Sequence, residues 1–445
     1  MEILIKASQL IMSLSILVVL HELGHFIPAK FFKTKVEKFY LFFDPWFSLF
    51  KKKVGDTEYG IGWLPLGGYV KIAGMIDESM DKEQMKKPAN SWEFRAKPAW
   101  QRLVIMLGGV VVNLLLGVFI YSMMMFFYGD KYLPVKNMVD GVWCVDEIAS
   151  DLGFQNGDKI ISADNDDIVR FSELLEKTLT SKNVRVERGG EIVDITMPDN
   201  IIEKFIQKES KLVFYPRIPA IVGGFVENSN GKKAGLEIKD QIVSIEGEEV
   251  KYHDELRGIL SDYKNERIVI GVLRNGEEVS VETEVYSDGT IGFYPAIISF
   301  NDLEKLGVYN LASFKYDLLN CFPAGWNKAV DKLSSYITQF MLILKPSTGA
   351  YKGLGGFGAI GSLFPSTWNW EIFWNLTAFL SLMLGFMNLL PIPALDGGHV
   401  VFLLYEIVAG KPAPEKFMEY AQITGMILLL SLVVYANAND VIRLL

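Results

Sequence analysis

Four long apolar runs constrain this chain more than any other feature: Ile3 to Leu20, Leu103 to Tyr128, about Ile372 to Leu390, and about Ile423 to Val434. A helix needs roughly 20 apolar residues to cross the hydrocarbon core of a bilayer, and only helices or closed barrels satisfy their backbone groups there. The runs therefore read as four transmembrane helices, and an apolar half of 445 residues suits that class better than a soluble enzyme. A cleaved signal peptide is the alternative for the first run, but no small-residue cleavage site closes it.

Charge orients the runs. Residues 30 to 102 carry 14 lysines and arginines against 9 aspartates and glutamates, whereas residues 129 to 300 carry 20 against 32. The basic loop belongs in the cytoplasm and the acidic segment outside. The net charge of −9 sits mostly in that outer segment, which argues against nucleic acid as a partner.

The first run ends in "VLHELGHF", residues 19 to 26, which places two of the four histidines of the chain in one HExxH pattern. On a helix, positions i and i+4 stand on one face, so His21 and His25 can share a metal ion while Glu22 serves as general base. Ionisable residues inside a membrane are costly and mark function. Hydrogen-bonded histidines in a helix bundle are the plain alternative. A catalytic zinc site needs a third protein ligand. The third run supplies two candidates in "MNLLPIPALDGGH" (387 to 399), where Pro391 and Pro393 break the helix ahead of Asp396 and His399.

The acidic segment holds a repeat. "GFQNGDKIISADNDDI" (153 to 168) and "GLEIKDQIVSIEGEEV" (235 to 250) align without gaps, matching Gly153 with Gly235 and Asp158 with Asp240. Each copy reads as a small domain of strands and one helix. The pattern resembles PDZ domains, and in the second copy Ile221, Val222, Gly223 and Gly224 look like the peptide-binding loop. Such domains either capture a peptide by strand addition or act as a rigid spacer.

HELGH in the first span, LDGGH after a broken third span, and the inserted PDZ-like pair together resemble the site-2 protease family over essentially the whole chain. The resemblance implies a polytopic α-helical membrane protein with about four transmembrane helices, a membrane-associated β-hairpin-like loop and two tandem PDZ-like α+β domains between the second and third spans. It implies an intramembrane metalloprotease with one zinc ion per chain, held by His21, His25 and Asp396, with Glu22 as the base. Asn388 would contact substrate or steady the oxyanion. The stretch "EYGIGWLPLGGYVKIAG" (58 to 74) alternates like strands around a turn at Gly67-Gly68. In the family this loop dips into the membrane and pairs with unwound substrate, which singles out Gly60, Gly62, Gly67, Gly68, Tyr69 and Val70. The implied partners are the bilayer and pre-trimmed single-span proteins, such as an anti-sigma factor or remnant signal peptides. The implied setting is a bacterial inner membrane, with the PDZ-like domains periplasmic and the active site towards the cytoplasm.

The expected layout is a first span with HELGH at 1–32, a cytoplasmic or re-entrant region at 33–100, and a second span at 101–128. PDZ-like domains follow at 129–215 and 216–300, then an outer connector with an amphipathic helix at 301–368. A third span with LDG at 369–400 and a fourth span at 418–440 complete it. Within the connector, residues 329 to 344 suit the outer leaflet, and "GLGGFGAIG" (353 to 361) is either flexible or closely packed. Where relatives often carry a proline, "GGVVVN" has Val110, so the second span should be straight, with Gly109 and Asn113 at their usual spacing. Cys144 and Cys321 are the only cysteines, either paired or free. A PDZ-presenting scaffold and an ion-coupled transporter are the rival readings. The intact HExxH weighs against the first, and the lack of an inverted repeat against the second.

Overall fold

Proline and glycine decide where the apolar helices stop. The computed structural model describes residues 2–75, 88–208, 212–296 and 298–442. They fall into two compact units, one drawn from 1–129, 315–344 and 351–445, the other from 130–314 and 345–350. In the first unit α1 (Glu2–Phe31) carries the HELGH motif, and α2 (Ala99–Phe127) begins directly after Pro98. α3 (Cys321–Ile343), α4 (Trp370–Leu389), α5 (Asp396–Ala409) and α6 (Glu415–Ile442) follow. Asn369 caps α4 by accepting from the Ile372 N–H, and the helix ends where Leu390 becomes extended ahead of Pro391. The span expected at 369–400 is therefore two helices, α4 and α5, separated by the proline break. Among the described residues α1, α2, α4 and α6 are long and apolar enough to cross a membrane. α2 is one uninterrupted helix, as the missing proline suggested.

Small residues set the helix spacing. A Cβ on Gly24 would meet the Gly108 carbonyl oxygen, and one on Gly108 would meet the Gly24 oxygen, so α1 and α2 touch backbone to backbone. Gly117 lies against Leu382, and Ser381 Oγ donates to the Asn113 carbonyl at 2.7 Å, which ties α4 to α2. The amphipathic helix α3 buries Cys321, Gly325 and Ala329, with Gly325 packed on Ser122 of α2, and buries none of 330–344, the stretch expected against the outer leaflet. Its small residues give α2 a groove to fit. The glycine-rich connection is the closely packed alternative: Asp440 of α6 accepts from the Gly356 and Ala359 amides, both at 3.0 Å.

The hairpin differs from expectation. β1 (Val36–Val54) and β2 (Thr57–Ile72) meet at a turn on Gly55-Asp56, not at Gly67-Gly68. Gly55, at φ +62°, supplies the left-handed residue a tight turn needs. Gly67 and Gly68 lie inside β2, where the absent side chain serves close packing. Both strands double back, so residues 57–62 pair with 48–54 on one side and 38–41 on the other, and residues 68–72 pair with 36–41. The 68–72 stretch is thus an outer lane of the sheet. Residues 76–87 of the expected 33–100 region lie outside the described residues.

The second unit contains two α+β lobes with separate cores. In the first, the strand order is 166–167, 159–163, 183–188, 191–196, and in the second it is 277–284, 267–274, 241–245, 220–225, 293–295. The repeat carries a shared internal clamp. Arg188 bonds both carboxylate oxygens of Asp158 and the Gly153 carbonyl, and Arg274 does the same with Asp240 and Gly235, at 2.6 to 2.8 Å. Both aspartates are buried. Ile298, Leu303 and Tyr309 pack into the first lobe's core, and Ala312–Phe314 pairs with Asp130–Tyr132. The stretch from 301 to 314 therefore belongs to this unit rather than to the connector expected at 301–368, because its apolar residues complete a core that the repeat alone leaves open. Cys144 and Cys321 are both free thiols, and burial pushes the Cys144 thiol up to about 12.

The clamp gives a stability prediction. Burial by itself raises the Asp240 carboxyl, but the Arg274 guanidinium and the Glu237 amide more than offset this and hold it below the ordinary carboxylate range. Because the folded value is depressed, the stabilisation is present above the unfolded carboxylate range and is lost as pH falls through the folded value. Asp240→Ala is expected to destabilise the second unit by about 3 kcal/mol at neutral pH, with the difference from wild type shrinking in acid. Thermal unfolding at several pH values reads this directly.

Candidate metal centre

Three side chains from two helices converge beside the α1–α2 crossing. His21 and His25 lie one turn apart on α1, with their Nε2 atoms 3.2 Å from each other. Asp396 Oδ2 stands 3.4 Å from His21 Nε2 and 3.3 Å from His25 Nε2. Among the described residues this is the one group of three or more His, Cys, Asp or Glu side chains with the closeness to hold a metal ion. The rival donor His399 is not part of it. The proline break explains the choice: after Leu390 the chain turns sharply, with Ala394 at φ +86°, and restarts as α5 with Asp396 in its first turn. A non-glycine residue at that φ is strained by about 1–2 kcal/mol. A Cβ on Gly397 would strike the Leu390 carbonyl, and one on Gly398 would approach the Ile392 carbonyl to 2.6 Å, so the tight reversal needs both glycines.

The donor set fits a zinc ion. Asp396 Oδ2 is buried and lacks a hydrogen-bond donor, and it faces two imidazole nitrogens across distances that a shared cation would bridge. His25 Nδ1 lies 2.9 Å from the Ile105 carbonyl of α2. A carbonyl only accepts, so His25 carries its proton on Nδ1 and presents a bare Nε2. Asn113 of α2 stands 3.1 Å from His21 Nδ1. Gly109 keeps the α2 surface flat beneath both rings, since a Cβ there would collide with His25 Nε2 and lie 2.6 Å from His21 Cε1.

Glu22, His21, His25 and Asp396 line a cavity of about 880 Å³, together with β2 from Gly68 to Ile72. The Val70 amide donates to Glu22. A Cβ on Gly68 would meet Val18 and the Tyr40 carbonyl, so glycine lets this strand lie against α1. Lys38, Asp44 and Tyr69 form a polar part of the lining, and Tyr69 donates to Asp44 at 2.8 Å.

Several sequence-predicted residues fall elsewhere. Gly60 and Gly62 sit in the inner 57–62 lane, packed on the Tyr40 ring and the Phe43 carbonyl, and a Cβ on Gly67 would come within 3.0 Å of the Phe43 ring. Asn388 is on the last turn of α4, outside the cavity lining, because only the chain beyond the proline break returns to the histidines. Ile221 to Gly224 form no open loop. They lie in a strand bonded to 240–242 on one edge and to 293–296 on the other, so the edge expected to take a peptide is filled by the chain itself. Ile105, Gly108 and the partner role of Asn113 escaped the sequence reading. The glycine pair beside asparagine in α2 was their visible trace.

Helices long and apolar enough to cross a membrane and a largely buried two-histidine, one-carboxylate cluster with a glutamate alongside define a membrane metalloprotease. Comparison with known proteins agrees. Residues 9–432 match the model of peptidase family M50. The chain is 28% identical to the regulator of sigma E protease of Haemophilus influenzae over 100% of both chains. It is 26% identical to the regulator of sigma-E protease RseP of Escherichia coli over 98% of both. It is also 26% identical, over 98% of both, to a Neisseria meningitidis protein named as a zinc metalloprotease. The chain belongs to peptidase family M50 and is a membrane zinc metalloprotease.

Proposed function

We propose that this chain cleaves the transmembrane helix of single-span substrates whose outer domains have already been trimmed. The observation that carries the reading is the convergence of His21, His25 and Asp396 within a cavity walled on one side by an outer strand lane. His21, His25 and Asp396 would hold zinc, which supplies Lewis acidity to water and to the scissile carbonyl. Glu22 takes the proton of the attacking water and delivers it to the leaving amide nitrogen, while its bond from the Val70 amide fixes where the carboxylate points.

A helix hides its peptide groups, so substrate must unwind before cleavage. The outer lane at 68–72 suits that step. Val70 directs its N–H to Glu22, and in a strand alternate residues share an edge, so the Gly68 and Ile72 backbone groups and the Val70 carbonyl are left to face the cavity. An unwound substrate segment that pairs there lies against Glu22 and the metal ligands. Tyr69 and Gly67 support this lane, and the inner-lane Gly60 and Gly62 support the sheet behind it.

The basic loop and acidic insertion favour a reading with the lobes in the periplasm of a bacterial inner membrane and the cavity towards the cytoplasm. The repeat that resembles PDZ domains supports reading the two lobes as PDZ-like. We assign them the role of a size filter, since the self-filled strand edge at 221–225 favours exclusion over peptide capture. The relatives named for sigma-E regulation make an anti-sigma factor the substrate class to try first, with remnant signal peptides second.

The test uses full-length chain in lipid vesicles. A single-span substrate without its outer domain is expected to be cleaved within its span, to be spared after chelation and to be cleaved again on zinc addition. The same substrate with a folded outer domain is expected to survive. Cleavage that persists after complete zinc removal would refute the metalloprotease mechanism, and equal cleavage of both substrates would refute the filter.

A further inference from the structure

We infer that Asn113 is a positioning residue that supplies the hydrogen-bond acceptor for His21 Nδ1–H when the metal is bound. The inference rests on the zinc reading above. Asn113 is fully buried, and its backbone carbonyl is held by Ser381 of α4 at 2.7 Å. Its side-chain amide meets His21 Nδ1 at 3.1 Å. The Asn113 Oδ1 atom is buried without a partner.

The two histidines pose the same problem and solve it differently. A neutral imidazole carries one proton, so a ring that offers Nε2 to a metal must keep its proton on Nδ1 and needs an acceptor there. His25 has the Ile105 backbone carbonyl, which can only accept. For His21 the group facing Nδ1 is the Asn113 amide. An amide offers either two donors or a carbonyl, and a half-turn about its last torsion exchanges them. With Oδ1 towards Nδ1, His21 is fixed in the tautomer that leaves Nε2 bare. With Nδ2 towards Nδ1, the ring proton is driven to Nε2, where it points at Asp396 Oδ2, 3.4 Å away, and opposes binding. The metal site therefore requires an acceptor at position 113, and hydrophobic residues of similar volume cannot provide one.

The experiment measures zinc affinity of the purified full-length chain by competition with a chromophoric chelator. It compares wild type, Asn113→Asp, Asn113→Leu and His25→Ala. Asn113→Leu is expected to bind zinc on the order of 10–100-fold more weakly. Asn113→Asp, which can only accept, should bind at least as tightly as wild type. Asn113→Ala replaces the leucine variant if thermal unfolding shows that leucine disturbs the fold. Unchanged affinity in both apolar variants, or equal weakening by aspartate and leucine, overturns the positioning role. Wild type that fails to bind zinc more tightly than His25→Ala overturns the metal-site reading itself, so the two failures are distinct.

Discussion

Glu22→Gln retains one zinc per chain and loses cleavage of a trimmed single-span substrate by a factor on the order of 10²–10⁴, the usual contribution of a positioned general base. The substitution is close to isosteric. A glutamine carbonyl still accepts from the Val70 amide, so the strand lane and the cavity wall keep their geometry. His21, His25 and Asp396 are untouched, and zinc content should match wild type. Only the capacity to take a proton from water is gone. Metal analysis and single-turnover cleavage on the same preparations separate the two properties. Wild-type cleavage by the variant would move the base to another residue, and loss of zinc would make Glu22 part of the metal site rather than its neighbour.

What the sequence made legible follows from the range of the physics involved. The spans are written in local composition, and the HELGH pair follows from helical periodicity alone, so both could be read without the fold. Asp396 needed more, because two prolines, two glycines and two candidate donors fall within nine residues of chain. The fold separates Asp396 from His399 by where the reversal ends. The hairpin turn was misplaced because Gly55 and Gly67-Gly68 give competing turn signals, and only the doubled lanes show which glycines serve packing. The expected loop at 221–224 was wrong for a non-local reason: its second partner, Phe293–Pro295, arrives some 70 residues later. The arginine clamp was missed because an ungapped alignment cannot see it. Asp158 and Asp240 share one offset, but Arg188 and Arg274 do not, since the arginine follows its aspartate by 30 residues in the first copy and 34 in the second, where the strand that carries it is longer.

Gly109→Ala is expected to weaken zinc binding on the order of 10–100-fold and to reduce cleavage in parallel, although it adds a single methyl group far from HELGH in sequence. That methyl would occupy the space of His25 Nε2 and lie 2.8 Å from His21 Nδ1, so both rings must shift together. Neither can shift freely. His25 is held by the Ile105 carbonyl and His21 by Asn113, and both anchors sit on the same helix as the new methyl group. The backbones cannot part to make room either, because Gly24 and Gly108 already bring α1 and α2 into contact one residue away. Overpacking of this kind costs about 1–3 kcal/mol, and each 1.4 kcal/mol taken from metal binding is a factor of about ten. Val111→Ala, on the exposed side of α2, serves as the control and should leave zinc affinity unchanged. Equal zinc affinity in Gly109→Ala and wild type would show that the rings reach the metal by a route that does not depend on α2. A shared loss in the Val111 control would instead assign the effect to general loosening of the helix. The distinctive outcome, loss at 109 with none at 111, makes the flat face of α2 a working part of the metal centre.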